Sequence, residues 1–226
     1  MQRLTLNNMV NKDKLKSGEG NPIEIGYITF KSNTLPLKNK AIREALSYTI
    51  DRELINKQVS FGTREPLRSI VPPQFYKKEF SPFSKYKPNI ARTLLEKQGY
   101  CEKDILTIPL TFRSNVPADK LLALTWKDQI KRDLSDCIKI TLNGIESTTV
   151  YKQLSEGAFE AVILDWTGAY PDPEAYLTPL LSCTKIENNN CLEGEAVFSG
   201  SFWGENKVQE LLEKSEKSEG ESRLNI

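Results

Sequence analysis

The segment Asp165-Trp-Thr-Gly-Ala-Tyr-Pro-Asp-Pro173 brings two carboxylates, an indole and a phenol close together along the chain. Two acids converging on one bond are what glycoside-type hydrolysis requires. An indole beside a phenol suits a different task, a flat wall against which a small solute can lie. Local geometry favours the second. Asp165 and Trp166 are neighbours, so on a strand their side chains point to opposite faces. If Trp166 faces a cleft, Asp165 faces away from it. Asp172 before Pro173 reads as a helix N-cap, with proline at the first helical position, where its missing N–H costs nothing. One acid is then a cap and the other turns away, so the pair does not converge. Gly168 serves either a close backbone approach or a positive φ. The chain has no histidine, which removes the commonest general base and metal ligand together. These residues point to binding, with no catalytic set and no cofactor called for.

The elements that carry them follow from patterning. Phe159 to Trp166 reads as a strand, and its run Ala161–Leu164 lacks the alternation of a half-exposed one, so it is expected to be buried on both faces. A buried strand that feeds a helix through a short loop is where open α/β sheets hold ligands. Further strands are expected at Ile23–Phe30, Ile105–Phe112 and Ile138–Leu142, with Pro109 marking an edge position or a bulge. Asn39 to Val59 carries Ile42, Ala45, Leu46, Ile50 and Leu54 at helical spacing and reads as one amphipathic helix. Asn89 caps a short helix that Gly99 stops, and Thr149–Glu156 is a helix closed by Gly157. Pro117 opens a helix whose inner face is Leu122, Trp126, Ile130 and Leu134, making Trp126 a core residue. Lys207–Lys217 is the last helix expected. Residues 60–88 hold too many prolines for regular structure and read as a packed surface loop. Alternating strands and helices argue an α/β layer with a substantially parallel sheet.

Lys+Arg 31 against Asp+Glu 30 leaves a net charge of +1, too little to recruit nucleic acid. No apolar run approaches the ~20 residues of a membrane span. Residues 1–22 read as a polar leader or junction remnant without a signal peptide, and residues 23–226 as a single lobe. Its end, Ser222–Ile226, offers no clear closing element and reads as truncated. The four cysteines, Cys101, Cys137, Cys183 and Cys191, lack zinc spacing and allow three pairings. Cys183 and Cys191 bracket a polar loop, while Cys101 and Cys137 each lie between a helix and the next strand. Four free thiols are the alternative, and bridges would imply an oxidising compartment.

Several phrases together resemble the extracytoplasmic solute-binding proteins of the dipeptide/oligopeptide ABC-transporter family (family 5). They are Tyr27-Ile-Thr-Phe30, Lys40-Ala-Ile-Arg-Glu-Ala-Leu46 with Thr49-Ile-Asp-Arg52, Ala91-Arg-Thr-Leu-Leu-Glu-Lys-Gln-Gly-Tyr100, Tyr151 to Ala161, Trp166 to Pro173, and Ser199-Gly-Ser-Phe-Trp203. The resemblance implies a periplasmic-binding-protein-like (type II) lobe: a mixed, largely parallel sheet flanked by helices. It also implies a peptide or similar small solute, a membrane permease as partner, and a periplasmic or extracytoplasmic location, membrane-associated if the protein is a lipoprotein. By the same resemblance Trp166, Thr167, Gly168, Ala169 and Tyr170 line the ligand cleft. Arg113 either meets the ligand's carboxylate or is a solvated loop residue. Arg43 and Asp51 match the family phrase, and salt bridges explain them without a ligand. Ala169 departs from the pattern, because peptide-binding members usually place there an Asp that takes the peptide's α-ammonium. That leaves room for a sugar, an opine or a metal chelate as solute, or for a sensory domain in place of a transport receptor.

Overall fold

A computed structural model describes residues 23–75, 83, 85–224 and 226, together with 9, 11, 12, 14 and 16. The expected leader over residues 1–22 falls almost wholly outside the described residues. Four strands form the main sheet: β1 (Glu24–Phe30), β2 (Leu106–Arg113), β3 (Ile138–Ile145) and β4 (Ala161–Thr167), in the order β1-β4-β2-β3. β2 runs parallel to β3 from Leu106↔Ile138 to Arg113↔Ile145, and parallel to β4 at Leu110↔Ala161 and Thr111↔Val162. β1 returns antiparallel along β4, from Glu24↔Thr167 to Phe30↔Ala161. The sheet is therefore mixed and largely parallel, and the apolar run of β4 is buried as its pattern predicts.

Helices cover both faces. On one lie α1 (Lys40–Tyr48), α3 (Pro88–Glu96) and α4 (Pro117–Asp133), whose Leu46, Leu95, Trp126 and Ile130 pack on Ile108, Leu110, Ala161 and Ile163. On the other, α5 (Ser147–Leu154) sets Val150 and Leu154 against Val162 and Leu164. Odd and even residues of β4 thus serve different cores, as strand alternation requires. Trp126 is fully buried, and its Nε1 donates to Thr49 Oγ1 at 2.9 Å.

The single helix expected over Asn39–Val59 is two: α1 and α2 (Arg52–Val59). Asn39 caps the first by accepting from Ala41 N at 2.9 Å, and Asp51 caps the second by accepting from Leu54 N at 3.1 Å. The break is held from outside by Gln129 of α4, whose Oε1 accepts from Asp51 N at 3.2 Å. Asp51 is therefore a cap, and the Arg43 guanidinium donates to the carbonyls of Leu37 and Lys38 at 2.6 and 3.0 Å; neither needs the expected salt bridge. α3 starts at Pro88, with Lys87 rather than Asn89 at the cap position, and α5 starts two residues early because Glu146 accepts from Thr148 N at 2.8 Å. Gly99 and Gly157 follow their helices with φ of +89° and +69°, as expected of helix stops.

Pro109 sits in an inner strand, not at an edge or a bulge. Leu106 N and Ser114 N both donate to the β3 side, to Cys137 O and Ile145 O. By alternation the Pro109 nitrogen faces β4, whose ladder with β2 begins one residue later, at Leu110↔Ala161. No hydrogen bond is asked of the ring, so proline is tolerated there.

Beyond β4 come α6 (Glu174–Leu181), a hairpin of β5 (Lys185–Glu187) and β6 (Asn190–Glu193), then α7 (Glu195–Phe198), α8 (Asn206–Glu216) and α9 (Gly220–Leu224). The expected polar loop between Cys183 and Cys191 is this hairpin. Asn188 and Asn189 take φ of 53° and 62°, the paired left-handed conformation that a two-residue turn demands and asparagine tolerates. Arg223 of α9 forks onto Asp172 with both N···O distances 2.8 Å, tying this helix to the start of α6. Of the described part of residues 60–88, Leu67, Ile70, Val71 and Phe75 pack against α6 residues, as a packed loop should, but Pro73–Phe75 form a 3-10 turn and Pro88 opens α3, so the prolines do not exclude regular structure throughout; Pro82 lies outside the described residues.

The cysteines pair as Cys101–Cys137 and Cys183–Cys191, with sequence separations of 36 and 8. Parallel neighbours β2 and β3 bring the first pair together at their entry ends. By chain entropy alone, loops of these lengths stabilise by about 4 and about 2.5 kcal/mol. Alkylation under native conditions should label no cysteine, and alkylation after reduction should label all four. Trp126→Ala should lower unfolding free energy by ~3–5 kcal/mol, read from the urea midpoint.

Candidate functional site

The carboxyl ends of β2 and β4 place Arg113, Asp165, Trp166 and Thr167 at one end of the sheet. Alternation separates Asp165 from Trp166 as expected, but with the roles exchanged. Trp166 turns towards Ile25, Ala175 and Tyr176 and donates its indole N–H to Ala175 O at 2.7 Å. Asp165 and Thr167 line a concavity of about 1660 Å³ that runs along edge strand β1, between it and α1, α2 and the proline-rich segment. Of the six predicted binding residues, Thr167 alone lines this concavity. Ala169 and Tyr170 are exposed in the loop just beyond, with Tyr170 48% accessible.

Gly168 answers a question its sequence context left open. It has no positive φ, yet a Cβ there would lie 2.7–2.9 Å from ring atoms and the hydroxyl of Tyr176. Close approach is the requirement. Tyr176 is fully buried, and its hydroxyl donates to Ile23 O at 2.5 Å, so the ring is pinned beneath the loop. α6 begins at Glu174 with Pro173 in the cap position, one residue later than expected. Asp172 still performs the capping chemistry, accepting from Glu174 N at 2.8 Å, and it also takes the Arg223 fork.

Arg113 is not a solvated loop residue: it is 4% exposed. Its Nε and Nη2 donate to Asp119 at 2.7 and 3.0 Å. Its Nη1 and Nη2 donate to Asp165 at 3.0 and 2.7 Å, and Nη1 also donates to the Tyr151 hydroxyl at 2.7 Å. The Tyr151 ring lies 5.9 Å from the guanidinium carbon. Hydrogen bonding to Asp119, and then to Asp165, pushes the already high Arg113 pKa further up against the opposing effect of burial. Tyr27 completes the group. Burial first, and the neighbouring Tyr151 and Asp165 next, push its phenol well above the usual tyrosine range, while Arg113 pulls it down.

Asp119, Tyr151 and Tyr27 were not singled out as site residues from the sequence. Asp119 carries a weak signal, an acid in the first turn of the helix that Pro117 opens, six residues after Arg113. Among the described residues no cluster of His, Cys, Asp or Glu is arranged to hold a metal ion, and no helix is long and apolar enough to cross a membrane.

In open α/β sheets, ligands are generally held at the carboxyl ends of the strands, the end at which Arg113 and Asp165 lie here. The model of the bacterial extracellular solute-binding proteins, family 5, middle region, matches residues 3–188, and the chain belongs to that family. It is 29% identical over 184 residues to heme-binding protein A of Haemophilus influenzae, covering 78% of this chain and 32% of that protein. It is 24% identical over 174 residues to the dipeptide-binding protein of Escherichia coli, covering 74% and 31%. The fold matches the dipeptide-binding protein of Pseudoalteromonas sp. SM9913, solved with Met-Leu, at a TM-score of 0.80 and 23% identity, over 98% of this chain and 42% of that one. The chain spans about a third of the length of these curated relatives.

Gly168→Ala should destabilise by about 1–3 kcal/mol through the Tyr176 clash, lowering the thermal midpoint. Tyr27 keeps its proton in the folded state at pH values where the unfolded chain loses it. The raised pKa therefore contributes stability that is present below about pH 10 and lost as pH rises towards the folded-state value. Urea unfolding between pH 9 and pH 11 should show that decline, and Tyr27→Phe should flatten it.

Proposed function

We propose that this chain is the ligand-holding lobe, residues 23–226, of an ABC-transporter substrate-binding protein. It captures a peptide or similar small solute outside the cytoplasm and presents it to a membrane permease. The observation that carries this reading is the rim at the carboxyl end of β4, where Thr167, Ala169 and Tyr170 are exposed, in a chain that belongs to a solute-binding family. Thr167, Ala169 and Tyr170 meet the solute, Trp166 and Gly168 fix the loop from beneath, and Arg113 anchors Asp165 beside it. The rest of the binding surface belongs to a second lobe, and a lipoprotein anchor would tether the whole near its permease.

Catalysis is not part of the reading. Asp165 and Asp172, the two aspartates of the segment that follows the buried run of β4, are each committed to a different arginine. The two disulfides suit an oxidising, extracytoplasmic setting. A non-peptide solute is the second reading. Ala169, where peptide-binding members usually carry an Asp, favours it, as does the similarity to heme-binding protein A.

Mass spectrometry of small molecules released from the full-length protein on denaturation tests the proposal. A stoichiometric small solute is expected, and its identity separates peptide from chelate. Consistent recovery of ligand-free protein that no candidate solute stabilises against heat would overturn it. If the solute is a peptide, Ala169→Asp should raise affinity for free-amino peptides by about tenfold or more, the value of one added charged hydrogen bond, as measured by calorimetry.

A further inference from the structure

The end of the sheet holds one guanidinium and two carboxylates. Arg113 has five N–H donors, and the contacts above use all five: two on Asp119, two on Asp165 and one on the Tyr151 hydroxyl. A ligand carboxylate arriving here finds no donor to receive it. Displacing the half-exposed Tyr151 hydroxyl would free only a single N–H; to gain a two-pronged fork the ligand would have to displace Asp165, the more exposed of the two carboxylates, and leave that acid unpaired in a half-buried place. Removing one member of such a buried set is strongly unfavourable.

The surplus charge is negative and is unevenly exposed. Asp119 is buried with a side-chain exposure of 7%, whereas the Asp165 side chain is 38% exposed and lines the concavity. Each Asp165 oxygen accepts one bond from Arg113. A carboxylate has about four acceptor sites, so its outer edge retains capacity. The backbone fixes the base of this side chain, because Asp165 lies in the ladder opposite Gly26 of β1, and the Arg113 fork holds its carboxylate. Glycine at position 26 adds no side chain over it.

We propose that Asp165 is a built-in carboxylate that closes Arg113 to an anionic ligand end and offers its outer edge to a cationic or N–H-rich group of the solute. The solute class is then one bearing an ammonium, guanidinium or amide N–H at this point and no free carboxylate. This inference rests on the solute-binding reading above and specifies its selectivity. It also reassigns the anionic anchor: the charge missing at Ala169 is supplied four residues earlier, from the strand itself.

The test uses the full-length protein, wild type and Asp165→Ala, titrated calorimetrically with Ala-Leu and with Ala-Leu amide, which share an ammonium but differ in the free carboxylate. The solutes that co-purify with both proteins are identified in parallel. Wild type should prefer the amide by tenfold or more. Asp165→Ala should reverse that preference towards the free acid, because Nη1 and Nη2 are then open. The isosteric Asp165→Asn, which keeps acceptor geometry without the charge, should fold normally and fall between the two. A wild-type preference for the free acid, or an unchanged ratio in Asp165→Ala, overturns the inference and leaves the solute-binding reading intact. If neither peptide binds, the co-purified solute decides. A cationic or amide-bearing molecule whose retention falls at least tenfold in Asp165→Ala supports the inference, and an anionic molecule, or one retained equally, overturns it. Absence of any co-purified solute together with absence of peptide binding sinks the solute-binding reading and this inference with it.

Discussion

Burial of β4 on both faces is the constraint from which the rest of the architecture follows. Ala161–Leu164 is flanked by β1 and β2 within the sheet and by separate helical layers above and below. A strand held on all four sides has no freedom of register, since a slip of one residue would exchange the two cores. Its last residues inherit that rigidity. Asp165 must continue the face of Ile163, towards α4, and Trp166 the face of Leu164, towards α6. The loop that follows is therefore displayed from a fixed platform, which is what a binding rim requires.

Two opposite solutions to polar burial meet at that platform. On the α6 side the polar tips of Trp166 and Tyr176 find backbone carbonyls, at Ala175 and Ile23, so large aromatic rings are buried without stranded donors. On the α4 side a full charge is buried, and the chain surrounds it with Asp119, Asp165 and Tyr151 until every donor is used. The first arrangement is neutral and structural. The second leaves a net negative charge, carried by the more exposed of its two carboxylates, Asp165.

Disulfides and ion pairs secure the periphery in the same economical manner. Cys101–Cys137 ties the entries of β2 and β3, Cys183–Cys191 closes the β5–β6 hairpin, and Arg223 clips α9 to the start of α6. None bears on the Arg113 cluster, which depends on β2, β4, α4 and α5 meeting in space.

Much of this was legible in the residues themselves. The apolar run of β4, the alternation that separates Asp165 from Trp166, the stops at Gly99 and Gly157, the core role of Trp126 and the α/β class all follow from local patterning. Local patterning could not see the break at Thr49–Asp51, because the interruption is stabilised by Gln129 from 78 residues away. Nor could it place Pro109, whose tolerance depends on where a neighbouring strand begins. The sequence alone determined that one of Asp165 and Trp166 would face the concavity; only the tertiary structure decided that it is Asp165. Alternation is a property of a single strand, whereas the identity of each face depends on which layer packs against it, and here the acids and hydroxyls that satisfy Arg113 arrive from three other elements.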